Sequence, residues 1–172
     1  MTLEGRLRAF DAARCALLDE LGSLEPAVLT AKPLPGKWSI LEIVEHLVLA
    51  ERAVFKGMPA PSRLEAGDRW IGNHVRYLLV TFILKAGIPV RAPSRKMLPQ
   101  GGRSFAELRR MWDENRAWLL SVLDGLGPEG LEKAVFEHPV AGPLTVEQSV
   151  RMVQVHFDGH VKQIRTRQRL LS

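Results

Sequence analysis

A chain of 172 residues that is 46% apolar and 25% charged has room for one hydrophobic core and not for two, so a single domain spanning residues 1–172 is expected. No stretch approaches the roughly 18 apolar residues that cross a bilayer, and a single cysteine, Cys15, excludes an internal disulfide. The net charge of +5 raises nucleic acid as a partner, but the basic residues of 91–110 and of the C-terminal stretch lack the interleaved aromatics of a base-stacking platform, so nucleic-acid binding is not expected.

Residues 1–8 mix charges without an apolar segment, which reads as no secretory signal and points to the cytoplasm. Apolar residues then recur at helical spacing along nearly the whole chain, and no segment alternates as a strand would, so the fold reads as all-α. The first predicted helix runs from about Leu3 to Leu21, with Leu3, Leu7, Phe10, Leu17 and Leu21 on one stripe. Gly22 sits near its end, and the Pro-rich connection from Pro26 to Gly36 is not expected to continue a helix. Ser39 and Glu42 make a capping box for the second helix. Its stripe is Ile40, Ile43, Leu47, Ala50 and Val54, and His46 beside Leu47 faces inward. Gly57, Pro59 and Pro61 end it.

A third helical stretch, about Asp68 to Lys85, carries Trp70, Ile71, Val75, Leu78, Leu79 and Phe82, and its apolar run Tyr77–Leu84 reads as buried. Gly87, Pro89, Pro93, Pro99, Gly101 and Gly102 then break any helix, which makes 87–102 a long irregular connection. Ser104 and Glu107 open the next helix with a second capping box, and Leu108, Met111, Trp112, Asn115, Trp118, Leu119 and Val122 form its buried face. Residues 125–130 stop it. His138, Pro139 and Gly142 read as a turn, and Thr145 with Gln148 caps a last helix, Val146 to about Leu170. Val150, Val153, Phe157, His160 and Ile164 share its stripe, with His156 at the edge. Four long amphipathic helices, an additional inserted helix and long crossover connections describe a four-helix bundle.

His156 and His160 are one helical turn apart and project from one face. With His46 from a neighbouring helix they can form a facial three-histidine metal set that leaves a position open for water or substrate. A lone histidine on an apolar face is ordinarily a core residue bonded to a neighbour. Two on one stripe each need a partner, whereas one metal engages both. The spacing alone leaves both readings open. It does exclude the zinc-protease motif H-E-x-x-H, because Phe157 stands where the general base belongs.

The remaining polar residues divide between structural and functional readings. Glu42 suits capping better than orienting His46, and Asp158 reads as a charged surface residue. Gly159 inside the last helix costs about 1 kcal/mol relative to Ala, which leaves room beside a metal or allows a close helix approach. Gln163, on the ligand side after His160, is the candidate cofactor-binding residue, or else bonds to a neighbouring helix. His138 reads as a turn stabiliser and His74 as a buried, partnered side chain. Trp38, Trp70, Trp112 and Trp118 read as core, with Trp38 anchoring the start of the second helix. Cys15 has no neighbour in sequence that would activate it.

Two segments carry a family resemblance: Pro35–Leu47, PGKWSILEIVEHL, and His138–Ile164, HPVAGPLTVEQSVRMVQVHFDGHVKQI. Together they resemble the DinB-like (DinB/YfiT-type) metal-binding superfamily, and His46, His156 and His160 match that family's metal-triad positions. The resemblance implies a four-helix bundle with a long crossover, commonly a homodimer, that binds a divalent ion such as zinc or nickel. It further implies a choice of activities. One branch transfers low-molecular-weight thiols to electrophiles, another isomerises maleylpyruvate with a thiol cofactor, and many members have no assigned activity. The expected function is a metal-dependent thiol S-transferase or related hydrolase acting on a small molecule. The alternative is a non-catalytic, stress-associated metal-binding protein that acts through a partner. No catalytic acid or base is identifiable from the residues.

Overall fold

Polar side chains at the helix starts fix where each long helix begins. Thr2 Oγ1 accepts from the Gly5 amide at 3.1 Å and opens α1 (Leu3–Gly22). Full capping boxes at Ser39/Glu42, Ser104/Glu107 and Thr145/Gln148 open α3 (Ile40–Lys56), α5 (Phe105–Asp124) and α6 (Val146–Leu171). In each, the cap oxygen and the side chain three residues on take up two amides that have no intrahelical acceptor. Between α1 and α3 lies a short helix, α2 (Pro26–Thr30). The Pro-rich connection does not continue α1, as expected, but it holds this separate short helix, in which Pro26 occupies the first turn, where its missing N–H costs nothing.

The computed structural model describes residues 2–58, 71–85, 94–126, 130–131, 134–138 and 140–172, with backbone alone for 71, 73, 134 and 135. Trp70 and the breakers Pro59, Pro61, Gly87, Pro89, Pro93 and Pro139 lie outside the described residues. The bundle is α1, α3, α5 and α6, with α4 (Ile71–Lys85) inserted between α3 and α5 and packed on α6. The crossover enters α5 through a 3₁₀ turn, Arg95–Met97, that lies against α3. No helix among the described residues is long and apolar enough to cross a membrane.

α3 is the central helix. Every residue from Ile43 to Val48 is buried, Glu45 and His46 included, so the helix is covered on all sides and its polar residues must find partners inside. Phe157 of α6 packs against Phe10 of α1 (ring centroids 5.3 Å apart) and against Trp112 of α5 (6.1 Å), which ties three of the four bundle helices together. The buried Arg14 bridges to the exposed Asp113 at 2.7 Å, and Arg109 pairs with Asp19 at the surface at 2.6 Å, joining α1 to α5.

The all-α four-helix bundle expected from the sequence is present, and three details within it are corrected. First, one short stretch pairs as strands. β1 (Ala134–His138) and β2 (Gly142–Thr145) form an antiparallel hairpin that pairs Phe136 with Leu144 and His138 with Gly142, with a register irregularity between Ala134 and Phe136. His138 has the turn role expected of it, since its Nδ1 accepts from the amides of Val140 (3.1 Å) and Ala141 (3.0 Å). Second, α4 is not a buried helix. Tyr77 and Thr81 face inward, and Tyr77 joins Ala141, Leu144 and Met152 in a small second core. Val75, Leu78, Leu79 and Phe82 are 58%, 49%, 56% and 65% exposed, and His74 is exposed too. Third, Trp118 is largely exposed rather than core, although its indole N–H donates to the Phe55 carbonyl at 3.0 Å.

Candidate metal centre

α3 carries His46 inward from the centre of the bundle, and α6 presents His156 and His160 one turn apart on the facing side. The three side chains meet. Their nearest ring nitrogens all lie within 4.8 Å of one another, and His156 Nε2 stands 3.1 Å from Nε2 of both His46 and His160. Adjacent ligands on a small divalent ion with bonds of about 2.0–2.1 Å stand about 3 Å apart, so this spacing fits a shared ion. A single Nε2 hydrogen on His156 serves one of its two neighbours well. A shared cation engages all three lone pairs at once. The rings meet edge-on, with centroids 4.6–5.0 Å apart, so nitrogens rather than ring faces converge.

Proton placement supports the same reading. His46 Nδ1 lies 2.7 Å from the Met97 carbonyl, which can only accept, so Nδ1 carries the hydrogen and Nε2 is left as a bare donor of its lone pair. Burial pushes the His46 imidazole below its ordinary value, against the pull of that carbonyl. Burial, then the neighbouring His160 and His46, pushes His156 well below the usual range. His160 is lowered to about 4, by burial first and His46 next, with contact from the Gln163 side chain working the other way. All three are therefore neutral at neutral pH, which is the ligating form. His160 Nδ1 is buried without a hydrogen-bond partner among the described residues.

Around the cluster, Trp38 packs against His46 (centroids 4.8 Å) and stacks over His160 (6.3 Å, 24° between planes). Its carbonyl accepts from Arg167 Nε at 3.2 Å, which ties the start of α3 to the end of α6. Trp38 thus anchors the start of α3, as expected, and also walls the histidines. Glu42 is occupied as a cap, with the Ser39 amide at 2.8 Å and Lys32 Nζ at 2.8 Å. It does not orient His46; Met97 does. Asp158 is exposed. A Cβ on Gly159 would stand 3.4 Å from the Leu84 carbonyl, at the edge of ordinary contact, so the space this glycine leaves faces α4 rather than the histidines. Gln163 lies one turn beyond His160, half-buried, with its own carbonyl bonded to Arg167 Nη1 at 3.1 Å.

No residue pattern pointed to Met97, whose contribution is a backbone carbonyl, or to the Glu45 contacts to Arg103 and Gly101 beside it. Glu45 left one faint signal, a carboxylate next to His46 in an otherwise apolar stretch of helix.

Comparison with known proteins agrees with this fold. The model of the DinB superfamily matches residues 9–164. The uncharacterised protein YuaE of Bacillus subtilis (strain 168) is 28% identical over 168 residues, covering 91% of this chain and 93% of its own. The crystal structure of TT2238, a four-helix bundle protein, is similar in fold with a TM-score of 0.57 at 22% identity, covering 96% of this chain and 99% of that one. A family match that runs from α1 to the last turns of α6 takes in all three histidines, and the chain belongs to the DinB superfamily.

Proposed function

We propose that this protein is a divalent-metal-dependent transferase that joins a low-molecular-weight thiol to an electrophilic small molecule, or a related hydrolase. The observation that carries the reading is the convergence of three neutral imidazoles, His46, His156 and His160, at ligand spacing on one point. Zinc or nickel suits three nitrogen donors. Bound there, such an ion supplies Lewis acidity that lowers the pKa of a thiol or a water in its open position. In the transfer, the thiol loses its proton to solvent, its sulfur forms a bond to the electrophilic carbon, and the leaving group departs with its electron pair.

The protein's own groups set the stage for that step. The Met97 carbonyl fixes the ring of His46, and Trp38 closes one side of the cluster to water. Gln163, the polar side chain next to His160, is assigned to the thiol cofactor. The reading also takes the chain as a cytoplasmic homodimer. Support for the dimer is the exposed stripe of Val75, Leu78, Leu79 and Phe82 on α4.

Metal analysis of protein purified without an affinity tag or added metal tests the premise. One divalent ion per chain is expected, and its loss in His160→Ala. Metal-free wild-type protein that also takes up none on titration removes the reading. The metal-loaded protein is then incubated with a panel of small thiols and a halogenated aromatic. Metal-dependent thioether formation is expected; its absence across the panel would leave a metal-binding protein without transferase activity.

A further inference from the structure

Glu45 is 2% exposed, and a buried carboxylate is tolerated only when its oxygens are bonded and its charge is met. Both oxygens are used on the same short segment. Oε1 takes the Arg103 guanidinium, and Oε2 accepts from the Gly101 amide at 3.0 Å. Both partners belong to the crossover that leads into α5, not to the bundle helices. Gly101 and Gly102 have φ of +74° and +81°, a left-handed pair that turns the chain back toward α3 at little cost to glycine. Upstream in the same segment, Ser94 Oγ accepts from the Lys96 amide at 3.2 Å and opens the 3₁₀ turn whose last residue, Met97, aims its carbonyl at His46 Nδ1.

We infer that Glu45 is a positioning residue for the metal centre: by latching the crossover through Arg103 and Gly101 it holds the Met97 carbonyl on His46, and that carbonyl selects the His46 tautomer whose Nε2 is free to bind a metal. The inference rests on the metal reading of the three histidines. The chemistry is that of a ligand's outer partner. A histidine that donates one ring N–H to a fixed acceptor presents the other nitrogen in a fixed direction and with raised basicity. A backbone carbonyl does this only if its loop is held, and among the described residues Glu45 is the bundle side chain that bonds this loop on the far side of Met97. Position 46 thus receives its orientation from position 45 by way of a loop some fifty residues later in sequence.

The latch can be weakened from its exposed end. Arg103 is 31% exposed, so Arg103→Ala opens no cavity between the bundle helices but leaves Glu45 Oε1 without its cation, and Arg103→Lys restores one. Gly101→Ala acts separately. A Cβ there meets nothing within 4 Å, so only the left-handed backbone is strained. Zinc affinity is measured by competition with a chromophoric chelator, and the His46 tautomer by ¹⁵N shifts of the metal-free protein. Arg103→Ala and Gly101→Ala are each expected to weaken zinc binding about 10–100-fold, with circular dichroism unchanged, and to erode the Nδ1–H form of His46; Arg103→Lys should recover most of both. Affinity and tautomer that match wild type in Arg103→Ala and Gly101→Ala would overturn the latch while leaving the metal site standing. If wild-type protein binds no zinc or nickel the metal reading falls, and the tautomer of the metal-free variants still decides whether the latch orients His46.

Discussion

Burial keeps three imidazoles deprotonated where solvent would let them titrate, and this has a thermodynamic consequence for the metal-free protein. An unfolded chain binds protons at these positions as pH drops through about 6.5. Folded His160 does not follow until about 4, and His46 and His156 are lowered in the same direction. The unfolded state therefore gains protons that the folded state refuses. Stability is fully present above the unfolded value and is lost progressively as pH falls toward the folded one. The urea midpoint of metal-free protein should drop between about pH 7 and pH 4.5, a loss on the order of 1–3 kcal/mol. His160→Gln, which cannot titrate, should flatten part of that slope, and an equal slope in the variant would show that other groups set it. The three converging histidines were legible in part from residue type and spacing, as a pair one turn apart on one stripe and a third on the inward face of a capped helix, and the family resemblance joined the third to the pair. Their orienting group was not legible, because a backbone carbonyl has no residue identity and its position depends on a loop closing over α3.

The α3–α5 contact shows how helices with strong end signals are locked in one register. Glu51 is buried, and its Oε2 accepts from Trp112 Nε1 at 2.9 Å and from Arg116 Nη2 at 3.1 Å. The Arg116 guanidinium in turn lies 4.0 Å from the centroid of the Phe10 ring on α1. Burial raises the Glu51 carboxyl, with Arg116 as the main opposing pull. Removing the cation alone strands that carboxylate, so Arg116→Met should cost about 3–5 kcal/mol in chemical denaturation. Adding Glu51→Leu should return much of the loss, because an apolar pair of similar volume replaces a buried ion pair at little net cost. A double variant no more stable than Arg116→Met would show that the arginine acts by packing on Phe10 instead. Capping boxes made α3, α5 and α6 readable to within a residue or two. The short elements were not. α2 spans five residues, too few for a period of 3.6 to repeat. The hairpin has strands of five and four residues, one containing Pro143 and the pair interrupted by a register irregularity, so no alternation of useful length exists in the sequence.

Which side of a helix faces the core is settled by what the rest of the chain puts next to it, and α4 illustrates this at the scale of the molecule. Its apolar residues run nearly all round, so the sequence indicated burial without indicating a partner. Tyr77, Val80 and Leu84 pack toward Ala141, Leu144 and Met152, and Gly159 admits the Leu84 carbonyl. The opposite stripe, Val75, Leu78, Leu79 and Phe82, keeps heptad-like spacing and has no cover among the described residues. Single exposed apolar side chains are ordinary, but four on one helical stripe form the contiguous patch that marks an interaction site. A second copy suits it for a reason of symmetry. A two-fold axis crossing between positions 78 and 79 sets each Val75 against Phe82 and each Leu78 against Leu79 of the other copy, so the patch complements itself. Arg76 and Lys85 are not opposed to their own counterparts in that arrangement, and α4 has no acidic residue that a basic partner would seek. Light scattering after size exclusion should give the mass of a dimer for wild type and of a monomer for Leu79→Glu. Because Leu79 is 56% exposed, the variant should keep its fold, with a monomer stability change within about 0.5 kcal/mol. Wild-type protein that is monomeric at micromolar concentrations, or a Leu79→Glu variant that remains dimeric, would place the stripe outside any interface between copies. The histidines lie within one bundle and need no second chain, so metal binding should persist in the monomeric variant, separating the assembly of the protein from the assembly of its site.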